Sequence, residues 1–150
     1  MKLIKYLHRV RCLWWKIRKP VTKGARAILI KDKQVLLVQH SYTGGWYIPG
    51  GKIKALESYE EGLRRELREE VGFKSGDLTY FGTYENFYEG KGDTILVFTC
   101  HNYQMETNKN LEVKCQAYFD LDRLPPNISP GSLRRIQAYK EKLQEAYGQW

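Results

Sequence analysis

The stretch SYEEGLRRELREEVG, residues 58 to 72, constrains the chain more than any other, because it specifies a helix together with both of its ends. Ser58 followed by Glu61 has the S-x-x-E form of a capping box, in which two side chains satisfy the first orphan N–H groups of a helix. Gly72 stands where a helix needs a residue that accepts the left-handed conformation. A helix is therefore expected from about Tyr59 to Val71. At about 100° per residue, Tyr59, Leu63, Leu67 and Val71 fall on one stripe, so other elements must cover that face.

The rest of the chain supplies the cover. GARAILI and QVLLVQH are short apolar runs joined through KDK, the pattern of a strand hairpin. GGWYIPGG breaks regular structure with its glycines and proline. Further strands are expected in LTYFGTYENFYE, DTILVFTCHN and EVKCQAYFD, with turns at EGKGD and near Thr107 to Asn110. Pro130 suits a first helical turn, and Leu133, Ile136, Tyr139, Leu143 and Tyr147 predict a final helix with one apolar stripe. Strands, a helix, more strands and a last helix predict an α/β fold, a mixed sheet covered by helices rather than a regular βαβ series. With 150 residues and 42% hydrophobic content, one such domain can bury a full core.

Charge divides the chain unevenly. Residues 1–19 carry Lys2, Lys5, Arg9, Arg11, Lys16, Arg18 and Lys19 and no acid, nearly the whole of the formal charge of +8. The basic balance thus describes an amino-terminal arm, residues 1–20, and not the domain at 21–150, so it does not by itself make the body a nucleic-acid binder. Leu3, Leu7, Val10, Trp14 and Ile17 give the arm an amphipathic helical pattern. It suits a helix docked on its own domain or a partner, an arm on an anionic membrane, or an RNA contact. No run approaches the roughly 18 apolar residues of a membrane span, and no secretory signal is apparent. Cys12, Cys100 and Cys115 form an odd set without a CxxC pair, which points away from a disulfide framework or a zinc site. A cytoplasmic setting is expected.

Six glutamates occupy the fourteen positions from Glu57 to Glu70. Glu60 with Arg64 and Glu61 with Arg65 are i,i+4 pairs in the favourable orientation, and ordinary helix stabilisation accounts for them. Glu66 and Glu70 are also i,i+4, but they carry like charge and border the inward side. Glu69 lies beside Glu66 around the helix, and Gly62 strips bulk from the same edge at a helix-propensity cost of about 1 kcal/mol. Carboxylates gathered at a half-buried edge repel one another unless a cation sits among them, and hard oxygen ligands of this kind suit Mg²⁺ or Mn²⁺.

These residues resemble the signature of the Nudix hydrolase family. Gly51, then five residues, Glu57, then seven residues, and Arg65-Glu66-Leu67-x-Glu69-Glu70-x-Gly72-Phe73 match every fixed position of G-x5-E-x7-R-E-U-x-E-E-x-G-U. The resemblance implies an α/β/α sandwich that hydrolyses a nucleoside diphosphate linked to another moiety. It implies that Glu66, Glu69 and Glu70 hold divalent metal, with the Gly50 carbonyl completing the shell. Arg65 would orient the cluster by pairing with Glu57. A further glutamate following the box is expected to act as ligand or general base, here Glu112, with Glu85 and Glu89 as substitutes.

For substrate, Arg26 and His40 are candidates for a phosphate or sugar, and Tyr42, Trp46, Phe87 and Tyr88 for stacking on a base. Ordinary sheet packing competes with each. The family resemblance leaves nucleoside triphosphates, ADP-ribose-like compounds and dinucleoside polyphosphates open. Alternatives are an RNA 5′-end pyrophosphohydrolase using the basic arm, and a non-catalytic nucleotide-binding module, the latter expected where box glutamates are lost.

Overall fold

The computed structural model describes residues 21–88, 91–108, 112–143 and 147–150. The proposed arm at 1–20, with Cys12, lies outside them, as does Glu89. The elements in chain order are β1 (Val21–Lys31), β2 (Gln34–His40), β3 (Gly50–Lys52), α1 (Tyr59–Val71), β4 (Phe73–Gly76), β5 (Thr79–Tyr88), β6 (Lys91–Cys100), β7 (Tyr103–Met105), β8 (Val113–Asp120), α2 (Pro130–Lys140) and β9 (Tyr147–Gln149).

The expected hairpin forms, with Ile30 opposite Val35 and Lys31 opposite Gln34. Asp32 and Lys33 between them both take positive φ, 49° and 63°, as a tight two-residue hairpin turn requires. The main sheet runs β8-β2-β1-β6-β5-β9, with β3 also paired to β1. It is mixed: β1 lies parallel to β6, from Val21 opposite Gly92 to Leu29 opposite Cys100. β9 lies parallel to β5. β1 is antiparallel to β2 and β3, β2 to β8, and β5 to β6. β4 and β7 form a separate antiparallel pair.

Alternation along β1 sorts the core into two layers. Ala25, Ala27 and Leu29 face one side, where Leu63, Leu67 and Val71 of α1 close over them with Leu36, Val38 and Phe98. Ile28 and Ile30 face the other, where Ile136 of α2 packs with Val35, Leu37, Tyr84 and Val97. The sheet is thus helix-covered on both faces. Leu63, Leu67 and Val71 are fully buried, and each contributes roughly 1.5–3 kcal/mol by leaving water.

Both ends of α1 fall where the sequence places them. Ser58 and Glu61 form the reciprocal capping box, and Gly72 caps the helix at φ 73°. The carboxyl-terminal helix is shorter than its apolar stripe predicts. It stops at Lys140, Lys142 turns to φ 54°, and Tyr147 lies in β9 rather than on a helix. The competing gain is tertiary: β9 extends the sheet beside β5, and Trp150 enters against Gly131, where a Cβ would stand 2.5 Å from its indole nitrogen.

α2 also fixes the loop that leads into β3. Ser132 Oγ accepts the Ile48 N–H at 3.0 Å, and the Ser129 N–H donates to the Trp46 carbonyl at 2.8 Å. The Trp46 N–H in turn donates to the Asn127 carbonyl at 3.0 Å. The helix on one face therefore sets the loop that meets the helix on the other.

Candidate functional site

The inward edge of α1 meets β3. Glu70 is 9% exposed, and its Oε2 accepts the Gly50 N–H at 2.8 Å while His40 Nε2 stands 3.6 Å from Oε1. Burial pushes the Glu70 carboxyl up to about 7. The charges of Glu66 and Glu112 push the same way, opposed by the Gly50 N–H and Arg26. Gly50 itself adopts φ 134°, and a Cβ there would lie 2.2 Å from the Ala25 carbonyl oxygen, so only glycine fits. Next to it, a Cβ on Gly51 would lie 2.3 Å from Glu66 Oε2, so the missing side chain is what lets that carboxylate reach the backbone.

Arg65 ties the edge together. Its guanidinium donates to Glu57 at 2.6 and 2.9 Å, to Glu66 Oε1 at 2.7 Å and to the Lys52 carbonyl at 3.1 Å. The Arg65 guanidinium, with the Lys54 N–H, holds the Glu57 carboxyl down to about 2. The Glu57–Arg65 pair expected from the family signature is thus formed. The helical Glu61–Arg65 pair is not: Glu61 Oε2 accepts instead from the Ser58 N–H and hydroxyl at 2.9 and 2.8 Å. The capping box uses one partner, and the two-pronged contact with Glu57 uses the other. Glu60 with Arg64 forms as expected, at 2.8 Å. Gly62 has the close neighbour its position implies, since a Cβ there would lie 2.6 Å from Ile53 Cδ1 and 2.9 Å from Glu57 Oε2.

Glu69 points outward, its side chain 56% exposed and one oxygen 3.5 Å from Arg65. Glu112 arrives from far along the chain. The pairing of His40 with Val113 across β2 and β8 brings it to this end of the sheet, and its carbonyl accepts the Ser41 N–H at 2.9 Å. Its charge acts on both Glu70 and His40. Glu85 stands on β5, opposite Thr94 and Gln149, with β6 between it and β1.

The substrate candidates separate. His40 is buried against the site, stacked on Tyr42 with ring centroids 5.2 Å apart, and burial together with Arg26 lowers its pKa. It adjoins Glu70 rather than facing solvent. Arg26 also reaches the site, donating to the Gly50 carbonyl at 2.7 Å and to the Ile48 carbonyl at 3.4 Å. Trp46 packs edge-on against Phe119 at 4.8 Å and belongs to the core layer under α2. Tyr42 and Phe87 are each 73% exposed. Tyr88 pairs through its backbone with Lys91, and its side chain lies outside the described residues. Sequence reasoning missed a cleft of about 680 Å³ that runs up to Glu66 between Lys23, Lys52 and Lys54. The lysines alternating in GKIK at the start of the box are the only local signal for it.

Among the described residues, no group of three or more His, Cys, Asp or Glu side chains is close enough together to hold a metal ion as it stands. The partners drawing them apart are visible: Arg65 takes Glu66, the Gly50 N–H takes Glu70, and Glu69 faces solvent. The donor chemistry nonetheless fits a hard divalent cation, with carboxylates and a carbonyl at one edge and a buried carboxyl whose acidic neighbours disfavour its charge. No helix among the described residues is long and apolar enough to cross a membrane.

Comparison with known proteins agrees with the geometry. A family model for the NUDIX domain matches residues 21–139. The putative 8-oxo-dGTP diphosphatase of Bacillus subtilis (strain 168) is 27% identical over 125 residues, 83% of each chain. Putative nudix hydrolase 1 of Caenorhabditis elegans is 36% identical over 70 residues, 42% of this chain, which spans only 19% of that relative's length. The fold matches the crystal structure of MutT NUDIX hydrolase from Burkholderia pseudomallei with TM-score 0.71 at 22% identity, covering 78% of this chain and 96% of that one. Since the family model spans most of the chain and encloses the complete signature, the protein belongs to the Nudix hydrolase family.

Proposed function

We propose that the protein is a pyrophosphohydrolase, dependent on Mg²⁺ or Mn²⁺, that cleaves a nucleoside diphosphate linked to a further group. The candidate substrates are nucleoside triphosphates of the kind named for the Bacillus subtilis relative, ADP-ribose-like compounds and dinucleoside polyphosphates. The observation that most supports this reading is Glu70, a buried carboxyl on the Gly50 N–H with the charges of Glu66 and Glu112 bearing on it. Satisfying the Gly50 N–H takes a single acceptor, whereas setting three carboxylates against one another is costly unless a cation joins them.

In this reading Glu66, Glu69, Glu70 and the Gly50 carbonyl hold the cation. A divalent ion held by these residues would supply two things: a lower pKa for the attacking water and an offset to the charge of the phosphoanhydride. Glu112 accepts the proton of the attacking water as its oxygen bonds to phosphorus and the anhydride oxygen departs. Arg65 holds Glu66 in place, and Glu57 holds Arg65. The cleft bounded by Lys23, Lys52 and Lys54 offers cationic walls to the substrate's anionic part.

The test is a panel of nucleotides incubated with Mg²⁺ or Mn²⁺ and scored by released phosphate or pyrophosphate, with Glu69→Gln alongside the native chain. Turnover by the native chain that Glu69→Gln abolishes, while the circular dichroism spectrum stays native, is the expected result. Substantial turnover by the variant sinks the assignment.

A further inference from the structure

Arg26 is the single charged side chain within the run GARAILI, and it is half-buried on β1 directly opposite Gly50. Its guanidinium contacts the Gly50 carbonyl at 2.7 Å, the same oxygen to which a cation role falls in the reading above. The other end of that residue, its N–H, is held by Glu70 at 2.8 Å. Gly50 therefore links a guanidinium on one side to a buried carboxylate on the other. Arg26 also borders a groove of about 200 Å³ shared with Thr22, Gly24, Gly51, Asp93 and Ile95. It thus stands between a carbonyl that a cation would claim and an open groove beside the site.

We propose that Arg26 is a phosphate-binding residue held in reserve: it occupies the Gly50 carbonyl until a divalent cation displaces it, and then turns its guanidinium to the anionic oxygens of the substrate's phosphoanhydride. Two positive groups on one carbonyl oxygen repel, so cation binding weakens the guanidinium contact. The released guanidinium has few local carboxylates to return to, because Glu70 and Glu66 would then serve the cation and Asp93, across the groove, already accepts the Thr22 hydroxyl. Anionic phosphate oxygens match its planar fork. Cation and substrate thereby bind with positive coupling, since the first frees a ligand for the second. The idea rests on the cation-dependent reading of the site.

The test uses the full chain, Mn²⁺ and inorganic pyrophosphate, and so requires no knowledge of the natural nucleotide. Mn²⁺ affinity is measured without pyrophosphate, and pyrophosphate affinity with and without Mn²⁺, for the native chain and for Arg26→Met. In Arg26→Met, Mn²⁺ is expected to bind at least threefold tighter, because its competitor is gone. Pyrophosphate is expected to bind about tenfold more weakly than to the native chain when Mn²⁺ is present, and within twofold of it when Mn²⁺ is absent. A residue that merely braces the loop gives weaker Mn²⁺ binding on substitution, and an ordinary anion site gives the same pyrophosphate loss with or without Mn²⁺; either result overturns the proposal. Should Arg26→Met fail to fold, Arg26→Leu, equally uncharged and without a donor, carries the same titrations, with tighter Mn²⁺ binding and a Mn²⁺-dependent pyrophosphate loss expected, and their absence fatal. A native chain that binds no Mn²⁺ overturns the cation reading and this inference together. Native Mn²⁺ binding that Arg26→Met leaves unchanged overturns this inference alone.

Discussion

Glu60 and Glu70 lie on the same short helix and differ in almost everything else. Glu60 is half-exposed and bonds Arg64 one turn along, a contact contained within the helix. Glu70 is buried and bonds the backbone of β3, with His40 of β2 beside it. The chemical group is identical, and the difference lies in what each faces. A carboxylate whose partner is its helical neighbour is surface stabilisation, while one whose partners come from other strands is committed to a place. Glu66 belongs with Glu70, because it reaches the backbone only where Gly51 lacks a side chain. Glu69 stands between the two groups, exposed yet adjoining Arg65.

The contrast is tested most severely from outside the helix, at Glu112. If the site side of α1 works with this residue as general base, Glu112→Gln lowers kcat by about 100-fold to 10,000-fold. Retained Mn²⁺ binding and an unchanged unfolding midpoint would locate that loss in the chemical step. A drop smaller than tenfold would move the base to another residue and leave Glu112 as a neighbour of His40.

Glu57 gives the next effect. It takes two of the donors of Arg65, whose remaining contacts are Glu66, Glu69 and the Lys52 carbonyl. Glu57→Gln keeps the shape and removes the charge. Loss of such an outer partner typically costs about 10-fold to 100-fold in metal affinity or activity. A Mn²⁺ titration and kcat/KM measured together should both fall within that range. An unchanged pair of values would class Glu57 with Glu60, as a helix-end contact without bearing on the site.

Local signals carried much of this in the sequence. The capping box, Gly72 and the stripe of Leu63, Leu67 and Val71 are decided within one helix, and the KDK hairpin within one turn. The signature places Glu66, Glu69 and Glu70 because their spacing is fixed on α1. What sequence could not show depended on distant partners. β3, β4, β7 and β9 are strands of three or four residues whose pairing partners lie far along the chain, so no periodicity develops in them. The final helix stops early because β9 and Trp150 gain more by joining β5 and packing on Gly131. Helical spacing pairs Arg65 with Glu61, but Glu57, outside the helix, offers a two-pronged contact that i,i+4 geometry does not. Likewise Arg26 appears in sequence only as a charge in an apolar strand, and its hold on Gly50 emerges once β1 and β3 are paired.

The smallest expected effect is the one that closes the comparison. Glu60→Gln removes the partner of Arg64, whose Nε and Nη2 donate to Glu60 at 3.0 and 2.8 Å. Arg64 nevertheless keeps its bond to the Gly76 carbonyl at 3.0 Å, so the side chain stays anchored at the start of the β4–β5 connection. Exposed pairs at i,i+4 contribute about 0.2–0.5 kcal/mol, and salt screens them. Urea unfolding should therefore register a loss within that range at low salt and a smaller one at high salt, with kcat/KM unchanged in both. The salt dependence matters as much as the size, because a glutamate that served the site would lose activity at either salt concentration while scarcely moving the unfolding curve. Such a result would place Glu60 with Glu66 and Glu70, and exposure would no longer separate the two kinds of carboxylate on this helix.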